Sequence, residues 1–483
     1  MLFNTINYFL FLSSVLVVYY ILPDKLRWIL LFIASILFYA IGGVATIFVP
    51  AIIALSTFIC GILMVRASNL KGKKLYFIVG LFINLGLLVF FKYINFFIST
   101  VIDGLNLFNH FFQEEQSDYH SSIVLKLLAP LGISYVTFQA IGYLIEIKRG
   151  IQNPEKNIGL FTTYLIFFPK LLSGPIERAH NFIPQLREKH EFDPGQIVKG
   201  LKRILWGLFL KLVVANRLSI YTDTVFSNSN QHSGITLFFA SIFFAIQLFA
   251  DFAGYTNMAI GSAQLFGYRL MENFDNPFIA KSVTEFWRRW HISLTTWVTE
   301  YIFNPIVINC RSWNKCAIVF ASMITFLILG FWHGASWNFI LFGFLQGFIL
   351  AIEFLSRKLR KRIRSKVPSL INNFAGICFT FGYFCFSIIF FKSINSAEAF
   401  TIIEKILSFK GPFFIGDPSM MIFSVLSIFL VLFVEFKKEF SINTFTFFNN
   451  KSWVVRNLSY SLLIILILLI GVFDGGQFIY FQF

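Results

Sequence analysis

Twelve mostly apolar stretches of roughly 20 residues recur along the chain, the length needed to cross the hydrocarbon core of a bilayer as a helix. They fall near residues 3–22, 28–47, 48–65, 75–91, 122–146, 197–216, 235–250, 316–332, 337–355, 371–391, 418–436 and 455–473. Backbone surrounded by lipid must satisfy its own hydrogen bonds, and long apolar runs do so as helices, so the pattern predicts an all-α polytopic membrane protein. Its expected architecture is a single membrane-embedded domain over 1–483, with 11–13 spans plus re-entrant elements. Composition agrees: 57% of residues are hydrophobic and 13% charged, against about 25% charged in soluble domains. A water-soluble globule and a disordered chain are both excluded.

The loop charges orient the spans. The first stretch has no basic residue before it and no small-residue cleavage site after it, so it reads as a retained span and not as a signal peptide. Lys25 and Arg27 follow it, which puts the N-terminus outside by the excess of Lys and Arg in cytoplasmic loops. Arg66, Lys71, Lys73 and Lys74 mark the next cytoplasmic connection, whereas 93–121 carries Asp103, Glu114, Glu115 and Asp118 without Lys or Arg and reads as an outward loop. Lys148, Arg149 and Lys156, then Arg187, Lys189, Lys199, Lys202 and Arg203, return to the inside. Both flanks of the apolar segment 158–180 are therefore cytoplasmic, which predicts a re-entrant element turning at Gly174-Pro175. Segment 292–309, with Thr295, Thr296, Thr299, Glu300, Asn304 and Pro305, reads as a second dip or a cytoplasmic-surface helix. The run RKLRKRIRSK at 357–366 is a cytoplasmic anchor against anionic headgroups, and alternation from there puts residue 333 at outer or middle depth. The net charge of +16 thus follows membrane topology, and no nucleic-acid face is formed. Five cysteines without paired spacing give neither a disulfide framework nor a zinc site; no metal site is read. No repeat of 20–50 residues is visible.

Three strings carry polar groups where a membrane protein tolerates few. The first is GFWHGASW, 330–337, in which His333 lies between two apolar spans. An ionisable residue at membrane depth is costly and marks a candidate functional site, although a histidine bonded to a neighbouring helix carbonyl would look the same. Gly330 and Gly334 let backbone or ligand approach, and Ser336 and Asn338 add hydrogen-bonding groups. The second is EFWRRWHISL, 285–294. As a continuous helix it aligns Trp287 and His291 at i and i+4 with Arg288 on the next stripe, and lets Glu285 pair with Arg288 or Arg289. An interfacial belt of aromatic and basic side chains is the plain alternative. The third is FFPKLLSGPIERAHNFIPQL, 167–186, whose prolines and glycine break any helix and predict irregular backbone lining a cavity; Lys170, Glu177 and Arg178 read as surface charges. The remaining histidines (His110, His120, His180, His190, His232) fall in loops or at element edges. No phosphate loop, HExxH or GxSxG is present, so NTPase, metalloprotease and serine-hydrolase readings lapse.

Together with LGISYVTFQAIGYLIEIKRG (131–150) and DFAGYTNMAIGSAQLFGYRLMENFDNPF (251–278), these strings resemble the membrane-bound O-acyltransferase family, in its order and over most of the middle of the chain. The motif-rich core is about 120–350. The bacterial alginate O-acetylation branch is most similar, with the teichoic acid D-alanylation and peptidoglycan O-acetylation branches near it. The chain reads Lys170-Leu171 where the family often has other residues. The resemblance implies that His333 is the family's catalytic histidine and His291 the second active-site histidine of this branch. Candidate substrate- or donor-binding residues are Trp287, Arg288, Arg289, Trp332, Ser336 and Asn338. It further implies an acyl thioester such as acetyl-CoA as donor substrate with no bound cofactor, an envelope polysaccharide acceptor such as alginate or peptidoglycan, and a periplasmic or outer-surface acyltransferase partner. The implied location is the bacterial inner membrane. From the residues alone, a transporter or lipid-linked sugar flippase using the histidines as a proton relay stays open.

Overall fold

The computed structural model describes residues 1–112, 130–440 and 450–474. Every named element among them is helical, and nine helices are long and apolar enough to cross a membrane. These nine coincide with nine of the twelve apolar stretches. Of the others, the first forms a 16-residue helix, Ile6–Ile21, and the second an 18-residue helix, Asp24–Ile41, whose opening turns carry Asp24, Lys25 and Arg27. The third, 122–146, lies partly outside the described residues; its later part begins the helix Ile133–Arg149. Leu10, Phe82, Phe429 and Leu468 are exposed, as expected where lipid is the solvent.

The outward loop expected after the fourth stretch is corrected. Residues 93–121 do not begin as an outward loop: after Leu70–Leu88 and a π turn at Val89–Tyr93, the chain stays helical over Ile94–Phe112. Residues 94–102, INFFISTVI, offer no breaker, and one added residue in the π turn rephases the helix without ending it. Glu114, Glu115, Asp118 and His120 lie outside the described residues.

The chain divides into two compact units. The first comprises Met1, Phe9–Leu172 and Ile176–Phe192. In it Phe48–Arg66, Leu70–Leu88 and Ile133–Arg149 pack closely, and Gly80 is essential to the fit because a Cβ there would lie 2.7 Å from the Leu144 side chain. The segment after the short helix Ile158–Ile166 breaks at Phe167, as its prolines predict. Its charges, however, are not on the surface: Lys170, Glu177 and Arg178 are all buried. Lys170 Nζ lies 2.5 Å from Gln139 Oε1 and within 5 Å of the Tyr164 and Phe182 rings, while Tyr164 donates to the Glu177 carbonyl at 2.9 Å. Irregular backbone is tolerated here because these polar groups answer one another inside protein.

The second unit comprises Leu2–Tyr8, Ser173–Pro175 and Asp193–Phe483. Its axis is an antiparallel pair, the helical stretch Pro194–Ser227 against Gly234–Leu265. Gly200 faces Gly261 and, seven residues on, Gly207 faces Gly254; a Cβ on any of the four would come within 3 Å of the opposing carbonyl oxygen. The next rung is Lys211 against Asp251, an ion pair of 2.6 Å with both side chains almost fully buried. Lys211 lies in a π turn, Phe209–Ala215, at the point where the glycine seam has brought the backbones together. Removing one partner from a buried ion pair leaves an uncompensated charge, at a cost of about 3–5 kcal/mol. Asp251→Leu is therefore expected to lower the thermal unfolding midpoint in detergent sharply, and Lys211→Met in the same chain to restore most of it; equal midpoints for the single and double variants would refute the pairing.

Candidate active site

All residues of the site belong to the second unit. His333 ends the helix Lys315–His333, and after the extended Gly334 and Ser336 the chain returns as Trp337–Leu355. The two helices cross closely: a Cβ on Gly330 would lie 2.2 Å from the Phe339 carbonyl oxygen, and one on Gly343 2.3 Å from that of Phe326. The Phe339 ring covers Gly334 so tightly that a Cβ there would meet it at 2.1 Å. The hairpin tip is thus sealed by backbone contact, and it holds His333 5% exposed, with the rings of Trp332, Phe391 and Phe342 at 5.0, 5.3 and 6.1 Å.

His291 is presented differently. The helix Val283–Arg289 starts on Ser282, whose Oγ accepts from the Glu285 amide. It is capped again by Glu353, a buried carboxylate that accepts from the Val283 and Thr284 amides at 3.0 Å each and from the Thr284 hydroxyl at 2.7 Å. The helix then stops. Trp290 is extended and bridges antiparallel to Phe274, and His291 is left-handed, φ 44° and ψ 53°, before a new helix begins over Ile292–Val298. The expected alignment of Trp287 and His291 along one helix is therefore corrected: the reversal at His291 turns them apart. Trp287 points into the core, its indole N–H donating to Gln346 Oε1 at 3.1 Å, while Gln346 donates to Ser387 at 2.8 Å.

The reversal brings the two histidines together. The indole of Trp332 lies 5.9 Å from the His291 ring and 5.0 Å from the His333 ring, so one side chain touches both. Phe252 closes the other edge of His291 at 4.6 Å. His291 is 1% exposed, and neither of its ring nitrogens has a hydrogen-bond partner among the described residues. It sits in a connection outside the nine spans, where burial, and next the electrostatic presence of His333, push its imidazole well below the ordinary histidine range. Two imidazoles beside one indole, one of them held neutral, form a pair that can pass protons at a reacting centre.

The other expected residues scatter. Arg289 is committed to Glu285 at 2.9 Å and Glu439 at 3.1 Å, whereas Arg288 is exposed. Asn338 donates to the Ser393 carbonyl at 2.8 Å, and Ser336 is half-buried at the start of its helix. Sequence reasoning missed Gln346 and Glu353, which both tie the histidine-bearing elements to one another. Their signal was present: two polar residues seven apart, hence on one face, in the otherwise apolar run FILFGFLQGFILAIEFL, 339–355. It also missed Asn273. A cavity of about 680 Å³ adjoins the His291 turn, with Phe249, Thr256, Asn273 and Ile292 in its buried or half-buried wall and Glu272, Asp275 and Lys438 exposed.

Residues 157–394, which include both histidines, match the model of MBOAT, the membrane-bound O-acyltransferase family. The chain is 34% identical to the probable alginate O-acetylase AlgI of Pseudomonas putida over 349 residues, covering 71% of this chain and 69% of that one. It is 30% identical to the peptidoglycan O-acetyltransferase of Helicobacter pylori over 448 residues, 85% and 80% of the two chains. Identity to the teichoic acid D-alanyltransferase of Bacillus subtilis is 27% over 276 residues, 55% and 69%.

The lowered proton affinity of His291 links stability to pH. Below about pH 6.5 an unfolded histidine takes up a proton that the folded site refuses, so the native state loses stability as pH falls through that value. His291→Gln is expected to lose that part of the decline in a series of thermal melts between pH 8 and 5. Parallel curves for the two proteins would show that His291 protonates freely in the folded state.

Proposed function

The chain belongs to the membrane-bound O-acyltransferase family, and on that premise we propose that it moves an acetyl group from a cytoplasmic thioester to hydroxyls of a cell-envelope polysaccharide, with His333 as the catalytic base. It is an acyltransferase and a multi-pass membrane protein. The observation that carries the assignment of the base is the contact of Trp332 with both buried imidazoles. Nothing specific to the site favours a transporter, in which such a pair would relay protons without acyl chemistry.

In this reading His333 takes the proton of the acceptor hydroxyl as its oxygen attacks the thioester carbonyl carbon. The tetrahedral adduct collapses with cleavage of the carbon–sulfur bond, and the proton passes to the departing thiolate, leaving an ester and a free thiol. His291, neutral at physiological pH, donates a ring N–H to the carbonyl oxygen as negative charge develops there; a fixed donor of this kind is worth about 10²-fold or more in rate. The surrounding rings of Phe252, Trp332, Phe342 and Phe391 exclude water, which would otherwise hydrolyse the thioester.

The donor is acetyl-CoA or another acyl thioester, and the cavity beside the His291 turn is where its acyl end approaches. Acyl thioesters are made in the cytoplasm and envelope polymers lie outside, so a site reached from both faces of the inner membrane gives the family's chemistry its purpose. The N-terminus is then outside, as the first loop charges imply. The acceptor is a polymer of the kind named for the relatives, alginate or peptidoglycan, and a second acyltransferase at the outer surface receives the group where this chain does not esterify the polymer itself. Trp332, Ser336 and Asn338 flank the base, and the exposed Arg288 meets the donor's phosphates at the cytoplasmic surface, whereas Trp287 and Arg289 support the fold of the second histidine's segment.

The test is transfer of radiolabel from acetyl-CoA to alginate oligomers or peptidoglycan by the purified chain, with any partner encoded beside it. His333→Ala is expected to lower the rate by at least about 10²-fold while leaving the thermal midpoint close to that of the wild type. Undiminished transfer by this variant would remove His333 from the mechanism.

A further inference from the structure

A left-handed backbone costs a residue with a side chain about 1–2 kcal/mol, and His291 adopts it with no glycine-like freedom. It also occupies the N-cap position of the helix Ile292–Val298, where Ser, Thr, Asp or Asn would ordinarily bond the first free amides. Its imidazole makes no such bond. Another segment meets that need. The Asn273 carbonyl accepts the Ile292 amide at 2.9 Å, and Asn273 Oδ1 accepts both the Ser293 amide at 3.3 Å and the Ser293 hydroxyl at 2.6 Å. The Asp275 amide donates to the Arg289 carbonyl at 3.0 Å on the other side of the turn, so residues 273–275 hold the chain both before and after His291.

The side chain of Asn273 is itself anchored. It is fully buried, and its Nδ2 donates to Thr256 Oγ1 at 3.4 Å. Thr256 lies one helical turn beyond Phe252 on Gly234–Leu265, and Phe252 is the ring against the edge of His291. One face of a single helix thus supports the imidazole directly and, through Asn273, the backbone from which it projects.

We propose that Asn273 is a positioning residue that caps the Ile292–Val298 helix in place of His291, so that the imidazole of His291 is released from capping and held toward Trp332 and His333. The proposal rests on the role given above to His291. Asn273 touches no reacting atom; it acts through the histidine. In its absence the turn keeps the backbone bond from the Ile292 amide but loses the Ser293 bonds and the tie to Thr256, and the imidazole drifts. A displacement of about 1 Å at a reacting group costs about 10²-fold in rate.

The experiment is a double-mutant cycle on the full chain in lipid-containing micelles, reading thiol release from acetyl-CoA with alginate oligomers as acceptor. Asn273→Ala is expected to lower kcat by about 10- to 100-fold and to have no further effect in a His291→Gln background; because Asn273 also lines the donor cavity, the KM readout is taken on Ser293→Ala, where KM for acetyl-CoA changes less than about twofold. Ser293→Ala, which removes only the 2.6 Å bond and leaves the backbone cap, gives a smaller fall that also vanishes in that background; it carries the test if Asn273→Ala does not fold. Losses that multiply with that of His291→Gln, or a wild-type kcat in both Asn273→Ala and Ser293→Ala beside an impaired His291→Gln, overturn the proposal alone. Full activity of His291→Gln itself overturns the reading of the site on which it rests.

Discussion

A backbone amide withdrawn from water must find a partner or cost several kcal/mol, and the site of this protein exists where the chain breaks its helices in spite of that constraint. Helices that cross lipid satisfy the rule automatically. The reversal at His291 does not, and its amides are answered by groups brought from elsewhere in the sequence, while the tip after His333 is packed shut by an aromatic ring. Glu353 covers the amides that open the Val283–Arg289 helix, Asn273 those that open the next one, and the hairpin tip is closed by the Phe339 ring against Gly334. Buried polar residues that look anomalous in apolar runs are the partners these breaks require.

The same economy fixes the distance between the two imidazoles. His333 is held by a helix pair whose glycines allow contact of backbones, and His291 by a short helix joined to the second member of that pair through Trp287, Gln346 and Glu353. The helix Trp337–Leu355 is therefore common to both supports. Trp332 lies against both rings, and both imidazoles are withdrawn from water. In the longer helices of this unit the glycine seam and the Lys211–Asp251 pair do the corresponding work, setting how near Gly234–Leu265, the carrier of Phe252 and Thr256, comes to its neighbour.

Most of the membrane-spanning helices were legible, because apolar length is a property of contiguous sequence. His333 was legible for a related reason: an ionisable residue between two apolar runs stands out without any knowledge of its surroundings. Gln346 and Glu353 carried the same signal more faintly. Three readings went astray because each judged a residue or segment by its local pattern or type, without the neighbours that the fold supplies. Residues 94–112 continue a helix that charge counting ended, residues 285–294 break a helix that periodicity continued, and Lys170, Glu177 and Arg178 are buried although their type is usually exposed.

By itself the sequence determined that this chain is a bundle of apolar helices with a histidine embedded between two of them, since burial in lipid selects on composition and length, which any window of residues displays. Only the tertiary structure decided that His291 faces Trp332 and that Trp287 turns away, and it alone identified Asn273 as the support of that turn. A left-handed residue is held by bonds that span 14 to 20 residues of sequence, and no local stretch of sequence records which remote amide or carbonyl will supply them.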